Sequence, residues 1–377
     1  MAAQISFGPR IRKSPYFDRT IEAGASHFSI YNKTYFPVSY GDALAEYDRL
    51  MEGVAIWDVS VDRQMRICGP DAAQLVRSLT PRNLATLAIG KGRYVPICNH
   101  QGVLLNDPVL LPISDDEYWL SIADNDLILW VSAIAAERGF DVVVDEPDIA
   151  PLAVQGPKAS NTVAALCGDW VRDLKQFAFC PHRLNLASGE TEVIVARSGW
   201  SKQGGFELYL QEPEHGYALW DAVMEAGAPH DIGPGAPNYI ERVESGLISM
   251  GADTDPQTNP YELGMGKLVD VDQEQDFIGK QALAEIRADG PSRTFLGFII
   301  DGDPFPAANK VWWHLYSDGE YVGRVSAGAY SPRFKSNIGL GLVSVDFAEP
   351  GTELTVHTEF GTQNACVTQL PFTTEAF

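Results

Sequence analysis

The segment Arg197-Ser-Gly-Trp-Ser-Lys-Gln-Gly-Gly-Phe-Glu207 joins a β-branched run, Thr191-Glu-Val-Ile-Val-Ala196, to the alternating run Phe206-Glu-Leu-Tyr-Leu210. Two strand-like runs around a polar, glycine-bearing turn read as a hairpin. Glycine lets another group approach the backbone closely. Trp200 offers a flat face, and Glu207 offers two oxygens to ring N–H donors. The turn is not a phosphate loop, because it has neither G-x-x-x-x-G-K-[ST] nor a G-x-G-x-x-G that opens a helix. By spacing alone, an ordinary turn with Trp200 in the core also fits.

Helix and strand patterns alternate outward from this turn. Upstream, Ala150-Pro-Leu-Ala-Val-Gln155 reads as a strand and Gly156-Pro-Lys158 as a helix start. Downstream, 216–227 reads as a helix. Pro237 stands where a helix can begin without needing its missing N–H. Ile240, Val243, Leu247 and Met250 then predict one apolar helical face, with Arg242 and Glu244 turned away from it. Nearer the N-terminus, 71–79 and 127–138 read as helices, the second ended by Gly139. Asn99-His-Gln-Gly102 and Asp115-Asp-Glu117 read as hairpin turns, and 140–144 as a strand. Residues 1–45 read as irregular. After Arg287-Ala-Asp-Gly-Pro-Ser-Arg293 the chain is strand-rich, at 295–300, 320–325, 338–345 and 354–360. Gly and Pro punctuate these strands, which predicts a small antiparallel barrel or sandwich.

A chain of 377 residues exceeds what one hydrophobic core organises, so two or three domains are expected. Lys plus Arg is 28 against 50 Asp plus Glu, a net charge of −22 that repels phosphate backbones and anionic lipid. Nucleic acid and membrane are therefore excluded as expected partners. The five cysteines form no C-x-x-C pair and the seven histidines no H-x-x-x-H, so reduced thiols and no metal are expected. The first ten residues lack a charged, then apolar, leader pattern, and a cytoplasmic location is the expectation.

Motif order carries more information than any single motif. Val54-Ala-Ile-Trp-Asp-Val-Ser60, Gly69-Pro-Asp-Ala-Ala73, Leu79-Thr-Pro-Arg-Asn-Leu84 and Gly102-Val-Leu-Leu-Asn-Asp107 precede the 197–207 turn. Glu241-Arg-Val-Glu-Ser-Gly-Leu247, Asn259-Pro-Tyr-Glu262, Asp276-Phe-Ile-Gly-Lys280 and Gly328-Ala-Tyr-Ser-Pro332 follow it. Over about residues 45–375 this ordered set resembles the aminomethyltransferase family typified by the glycine cleavage T-protein. Leu105-Asn-Asp-Pro108, Ala123-Asp124, Glu146-Pro-Asp148, Ser201-Lys-Gln-Gly-Gly205 and Pro237-Asn238 resemble its dimethylsulfoniopropionate demethylase branch. T-proteins carry an acidic Glu-Asp pair where Lys202-Gln203 stand here.

The resemblance implies an α+β fold of three lobes around a central folate channel, with a C-terminal antiparallel β-barrel. Residues 1–286 would form the folate-binding domain of two intertwined α+β lobes, and 287–377 the barrel. It implies an enzyme that transfers a methyl group to tetrahydrofolate, with a small-molecule methyl donor as partner and a homodimer as a possible assembly. Asp107 would be the catalytic residue near the reacting folate nitrogens. Glu207, Tyr94 and Trp200 would contact folate, and Arg242 and Glu244 would brace its channel. Tyr31, Phe28, Lys202 and Lys33 would hold the donor, its cation on aromatic faces and its carboxylate on a lysine. Each residue also has a plain structural reading. Asp107 fits a turn and Tyr94 a core strand. Arg242 and Glu244 fit a buried polar pair, Tyr31 an anchor for the N-terminal segment, and Lys202 the solvated surface. Two stretches depart from the branch pattern, Tyr31-Asn-Lys-Thr-Tyr-Phe-Pro37 and Gly251-Ala-Asp-Thr-Asp-Pro-Gln-Thr-Asn259, and both are expected near the donor. Another N-, O- or S-methyl donor, or aminomethyl transfer, stays open.

Overall fold

The computed structural model describes residues 6–374 and divides into two compact units. The first comprises Met1–Val76, Leu84–Val95 and Asn106–Asn238. The second comprises Arg77–Asn83, Pro96–Leu105 and Tyr239–Phe377.

A six-stranded sheet organises the first unit. Its strands, in spatial order, are Phe179–Leu186, Gly189–Ala196, Gly205–Leu210, Ala150–Gln155, Val54–Asp58 and Ile232–Pro234. Neighbours pair antiparallel except the last two, which run parallel. Strand side chains alternate between faces. Val193 and Val195, with Phe206, Leu208 and Leu210, join the core formed with the helices Ala159–Cys167 and Gly216–Gly227. Ile194, Ala196 and Tyr209 face the other way and pack with Leu111 and Trp119. Those two belong to a five-stranded sheet ordered Val143–Asp145, Gln64–Cys68, Glu117–Ser121, Val109–Pro112 and Arg93–Tyr94. The helix Leu127–Arg138 ends as expected at Gly139, whose φ of 69° is left-handed.

Residues 6–45 are not irregular throughout, and 1–5 lie outside the described residues. They hold the helix Phe17–Glu22, the hairpin His27–Tyr31 with Thr34–Ser39, and the start of the helix Ala43–Glu52. The hairpin turn places Asn32 and Lys33 at φ of 46° and 57°, the backbone of a two-residue primed turn. No glycine marks it, which is why its sequence conceals it. Asn32 supplies the compensation. Its side chain donates to the Val61, Ile122 and Ala123 carbonyls at 3.0–3.2 Å, and its backbone N–H donates to Asp124 at 2.7 Å. Phe7, Phe17, Phe28 and Tyr35 pack their rings beneath the hairpin, with centroids 4.9–5.8 Å apart.

In the second unit six strands close into an antiparallel barrel, ordered Arg293–Ile300, Ser336–Ser344, Glu320–Ser331, Trp313–Ser317, Glu353–Thr358 and Gly361–Thr368. Phe298, Trp313, Leu315, Val325, Val343 and Val356 fill its interior. The expected long apolar helix after Pro237 is shorter, Tyr239–Ser245. Gly246 adopts φ of 65°, and Leu247 N–H returns to the Arg242 carbonyl at 2.9 Å, so Leu247 and Met250 lie beyond the helix. The acids of the segment Gly251–Asn259 are held by this unit's own arginines. Asp253 is fully buried and accepts from Arg242 at 2.8 Å and from Ser326 at 2.6 Å. Asp255 accepts from Arg293 and Arg324, each at 2.7 Å.

All five cysteines are free thiols, and burial pushes Cys167 up to about 12. No helix among the described residues is long and apolar enough to cross a membrane.

One barrel contact sets a stability test. A Cβ on Gly341 would lie 1.9 Å from the Arg324 carbonyl oxygen, a backbone atom that cannot swing aside. Gly341→Ala is expected to destabilise the protein by about 1–3 kcal/mol, the usual cost of overpacking, read as a lower thermal midpoint.

Candidate functional site

Glu207 follows from strand parity. Phe206 and Leu208 are committed to the helix side of the sheet, so Glu207 and Tyr209 share the opposite face. Glu207 accepts a short hydrogen bond from the Ser198 hydroxyl and one from the Tyr209 hydroxyl at 2.9 Å. Burial raises its pKa, and these two hydrogen bonds oppose the rise.

The glycines of the opening segment have a different occupant from the one expected. A Cβ on Gly199 would lie 2.0 Å from the Gln155 side-chain nitrogen, and one on Gly205 2.4 Å from it. Gln155 is 1% exposed and fills the space the glycines leave. Its amide donates to the Ser198 and Phe206 carbonyls at 3.1 and 3.3 Å and accepts from Ser201 at 2.9 Å. Gly199 and Gly205 therefore admit a protein side chain that sets the turn. Within that turn Trp200 is half-buried and Lys202 exposed.

Asp107 is placed by Asn106, which is fully buried. The Asn106 side-chain oxygen, Oδ1, accepts the N–H of Asp107 and of Ala123, each at 3.0 Å, and its Nδ2 donates to the Ala123 backbone carbonyl at 3.0 Å. Leu105–Pro108 and Ala123-Asp124, far apart in sequence, are thus one unit of structure. Tyr94 donates to Asp107 at 2.6 Å, and burial, then the Asp107 charge, raises the Tyr94 pKa well above its usual value.

A third carboxyl, Asp62, joins Asp107 and Glu207, and the sequence reading missed it. Burial first, then the charges of Glu207 and Asp107, push its pKa well above the usual carboxylate range. Tyr31 senses the same group: burial, then Asp62 and Asp107, raise it. Tyr209 is raised by burial, then by Glu207, with Asp62 a smaller contributor. The site therefore gathers three carboxyls and three phenols, Tyr31, Tyr94 and Tyr209, and the phenols stay protonated as donors. A visible signal for Tyr209 was its i, i+2 relation to Glu207. Asp62, just past the end of the motif read at 54–60, carried no such signal.

Four of the anticipated residues, Tyr31, Tyr94, Asp107 and Glu207, are brought together. Phe28 packs against Phe7 and Phe17, with centroids 5.4 Å apart in each case. Lys33 places its ammonium on Asp126 at 2.7 Å, which fixes the hairpin turn. Arg242 and Glu244 lie in the second unit, 3% and 2% exposed, holding Asp253 and accepting from Ser331 respectively. Among the described residues Glu212, Glu214 and His215 have metal-like spacing, with His215 Nδ1 2.6 Å from the Ser188 hydroxyl and Glu212 accepting from Thr191 at 2.7 Å.

A family model described as the GCVT N-terminal domain matches residues 16–273, and one described as the glycine cleavage T-protein C-terminal barrel domain matches 293–373. The chain belongs to this family and is a tetrahydrofolate-dependent one-carbon transferase. It is 42% identical over 352 residues to a dimethylsulfoniopropionate demethylase DmdA of Ruegeria pomeroyi, covering 93% of this chain and 94% of that one. It is 29% identical over 369 residues to an aminomethyltransferase of Phocaeicola vulgatus, covering 96% and 99%. The glycine cleavage system aminomethyltransferase T of Bartonella henselae matches in fold, with TM-score 0.84, 23% identity and coverage of 97% and 98%.

Glu207 gives a pH test of the site. A carboxyl whose folded pKa is raised binds a proton more tightly when folded, so its ionisation opposes folding. That penalty is absent below the unfolded value of about 4.3 and grows as pH rises through the folded value. Glu207→Gln keeps an acceptor for Ser198 and Tyr209 and removes the charge. It is expected to melt above the parent at about pH 8, with the gap closing near pH 4.

Proposed function

We propose that this enzyme demethylates dimethylsulfoniopropionate, transferring a methyl group to N5 of tetrahydrofolate and giving 5-methyltetrahydrofolate and methylmercaptopropionate. The observation that carries the reading is the acceptor-rich cluster of Asp62, Asp107 and Glu207. A pterin edge is rich in N–H donors, and a sulfonium is a cation, so both reactants suit an anionic, phenol-lined face. The 42% identity to a protein named for this reaction supports the same donor.

When bound, tetrahydrofolate supplies the nitrogen that accepts the methyl group, and sulfur departs with the bond's electron pair as a neutral thioether. The charge moves from sulfur to nitrogen and little net charge is created, so alignment is the large lever, worth roughly 7–11 kcal/mol. Glu207, fixed by Ser198 and Tyr209, would hold pterin N–H groups. Asp107, fixed by Asn106 and Tyr94, would stabilise the positive charge arriving on the folate nitrogen and take up its proton. Trp200 and Tyr31 offer aromatic faces, and Lys202 takes the donor carboxylate. Arg242 and Glu244 are proposed to brace the folate channel, with residues 1–286 as the folate-binding domain and 287–377 as the barrel domain. The expected location is cytoplasmic and the expected assembly a homodimer.

The aminomethyltransferase relatives keep aminomethyl transfer as a second reading. It requires a lipoyl carrier protein, and the sulfonium reaction does not. Incubation with tetrahydrofolate and a panel of sulfonium, quaternary ammonium and methoxy-aromatic donors tests the proposal. 5-Methyltetrahydrofolate is expected from dimethylsulfoniopropionate, and its formation only from other donors would overturn that choice. Asp107→Asn is expected to lower kcat about 10²–10³-fold, as loss of one charge-stabilising group does. Near-parental turnover would remove its role. Lys202→Ala is expected to raise KM for the donor while leaving that for tetrahydrofolate nearly unchanged.

A further inference from the structure

Asp62 differs from the other two carboxyls of the site. Glu207 is held by Ser198 and Tyr209, and Asp107 accepts from Tyr94. Among the described residues no donor reaches the Asp62 carboxyl, and no Lys or Arg pairs with it. The adjacent Arg63 is spent on Glu146, to which it donates twice at 2.9 and 3.1 Å. Asp62 is anchored through its backbone instead. Its N–H donates to the Val59 carbonyl at 2.9 Å and its own carbonyl accepts from Gln64 at 2.7 Å, so the side chain is fixed at the start of the strand Gln64–Cys68. Hydrogen bonds place it beside the rest of the cluster. Asn32, next to Tyr31, donates to the carbonyls of Val61 at 3.0 Å and Ala123 at 3.2 Å, and Ala123 N–H donates at 3.0 Å to the side chain of Asn106, next to Asp107. The titratable groups coupled to it are Glu207 and Tyr209 from the strand Gly205–Leu210, Asp107, and Tyr31 from the N-terminal hairpin. None of these groups is a cation.

A half-buried carboxyl among like charges needs a positive partner or a proton. Tetrahydrofolate's pterin is neutral and supplies hydrogen bonds without formal charge. We infer that Asp62 recognises the positive centre of the methyl donor, so that the enzyme selects sulfonium or quaternary ammonium donors over neutral ones. The inference rests on the donor reading given above and names the group that enforces it. Transfer of the methyl group turns the sulfonium into a neutral thioether, and the attraction that held the donor is absent from the product. Asp62 therefore favours entry of donor over retention of product. Because a carboxylate beside the sulfonium stabilises the ground state, its loss acts on KM more than on kcat.

The test compares the parent, Asp62→Asn and Asp62→Glu in steady-state methyl transfer from dimethylsulfoniopropionate, across pH. Asp62→Asn is expected to raise the donor KM about tenfold, one charge interaction of about 1.4 kcal/mol, with kcat and the tetrahydrofolate KM moving less than about twofold. Asp62→Glu restores much of the donor KM. In the parent the donor KM falls as pH rises through the Asp62 titration, and in Asp62→Asn that dependence is lost. An unchanged donor KM with normal turnover overturns the inference and leaves the demethylase reading intact. A raised tetrahydrofolate KM with an unchanged donor KM assigns Asp62 to the pterin and also overturns it. Formation of 5-methyltetrahydrofolate only from neutral methoxy donors defeats both readings. Where only a quaternary ammonium donor reacts, the donor choice fails alone and the same KM comparison is made with that donor.

Discussion

The strand Gly205–Leu210 imposes the constraint on which the site depends. Its pleat sends Phe206, Leu208 and Leu210 into a helix-covered core and leaves Glu207 and Tyr209 on the opposite face. A one-residue slip would drive a carboxylate into that core and expose three large apolar side chains, so the register is strongly specified. The pairing of Gln155 with Gly205 fixes it further, because the Gln155 amide occupies the volume a side chain would take at 199 and 205. Packing, register and ligand-facing chemistry are consequences of one alternation.

That alternation also concentrates negative charge. A face carrying Asp62, Asp107 and Glu207 is unfavourable by itself, since buried like charges raise one another's pKa. The protein meets this with protonated phenols and hydroxyls, through Tyr94 on Asp107 and through Tyr209 and Ser198 on Glu207. The second unit handles its acids differently. Asp253, Asp255 and Glu262 there are met by Arg242, Arg293 and Arg324. Acids neutralised by arginine are structural, whereas acids met by neutral donors keep capacity for a ligand.

The contrast explains what was legible in the sequence. The hairpins at 99–102 and 115–117, the helices at 127–138 and 216–227 and the closing barrel follow from local pattern and punctuation. Asp107, Glu207 and Tyr94 were singled out by the family resemblance and Tyr31 as an aromatic face for a cation, and the structure couples the four in one cluster. The hairpin at 27–39 was hidden because its left-handed turn is carried by Asn32-Lys33 without a glycine and is held by residues about 90 positions away. Asp62 was hidden for a related reason. Its character comes from charges contributed by two distant segments, and nothing in Val61-Asp62-Arg63 announces them. The helix after Pro237 was overread because apolar spacing continues past Gly246, where the backbone turns out of the helix.

The tip of the N-terminal hairpin is held by Asn32 on the Val61 carbonyl and the 122–125 backbone, while Phe28 and Tyr35 pack with Phe7 and Phe17. Of its residues, Tyr31 is the one that senses the carboxyl cluster. Substitution along the hairpin can therefore reshape the aromatic wall while the sheet, the turn and the three acids stay where they are. The segment is an evolutionary tuning knob. With Tyr31 at the donor, as proposed above, donor preference can drift through it between descendants of one ancestor, at little risk to the folded scaffold beneath.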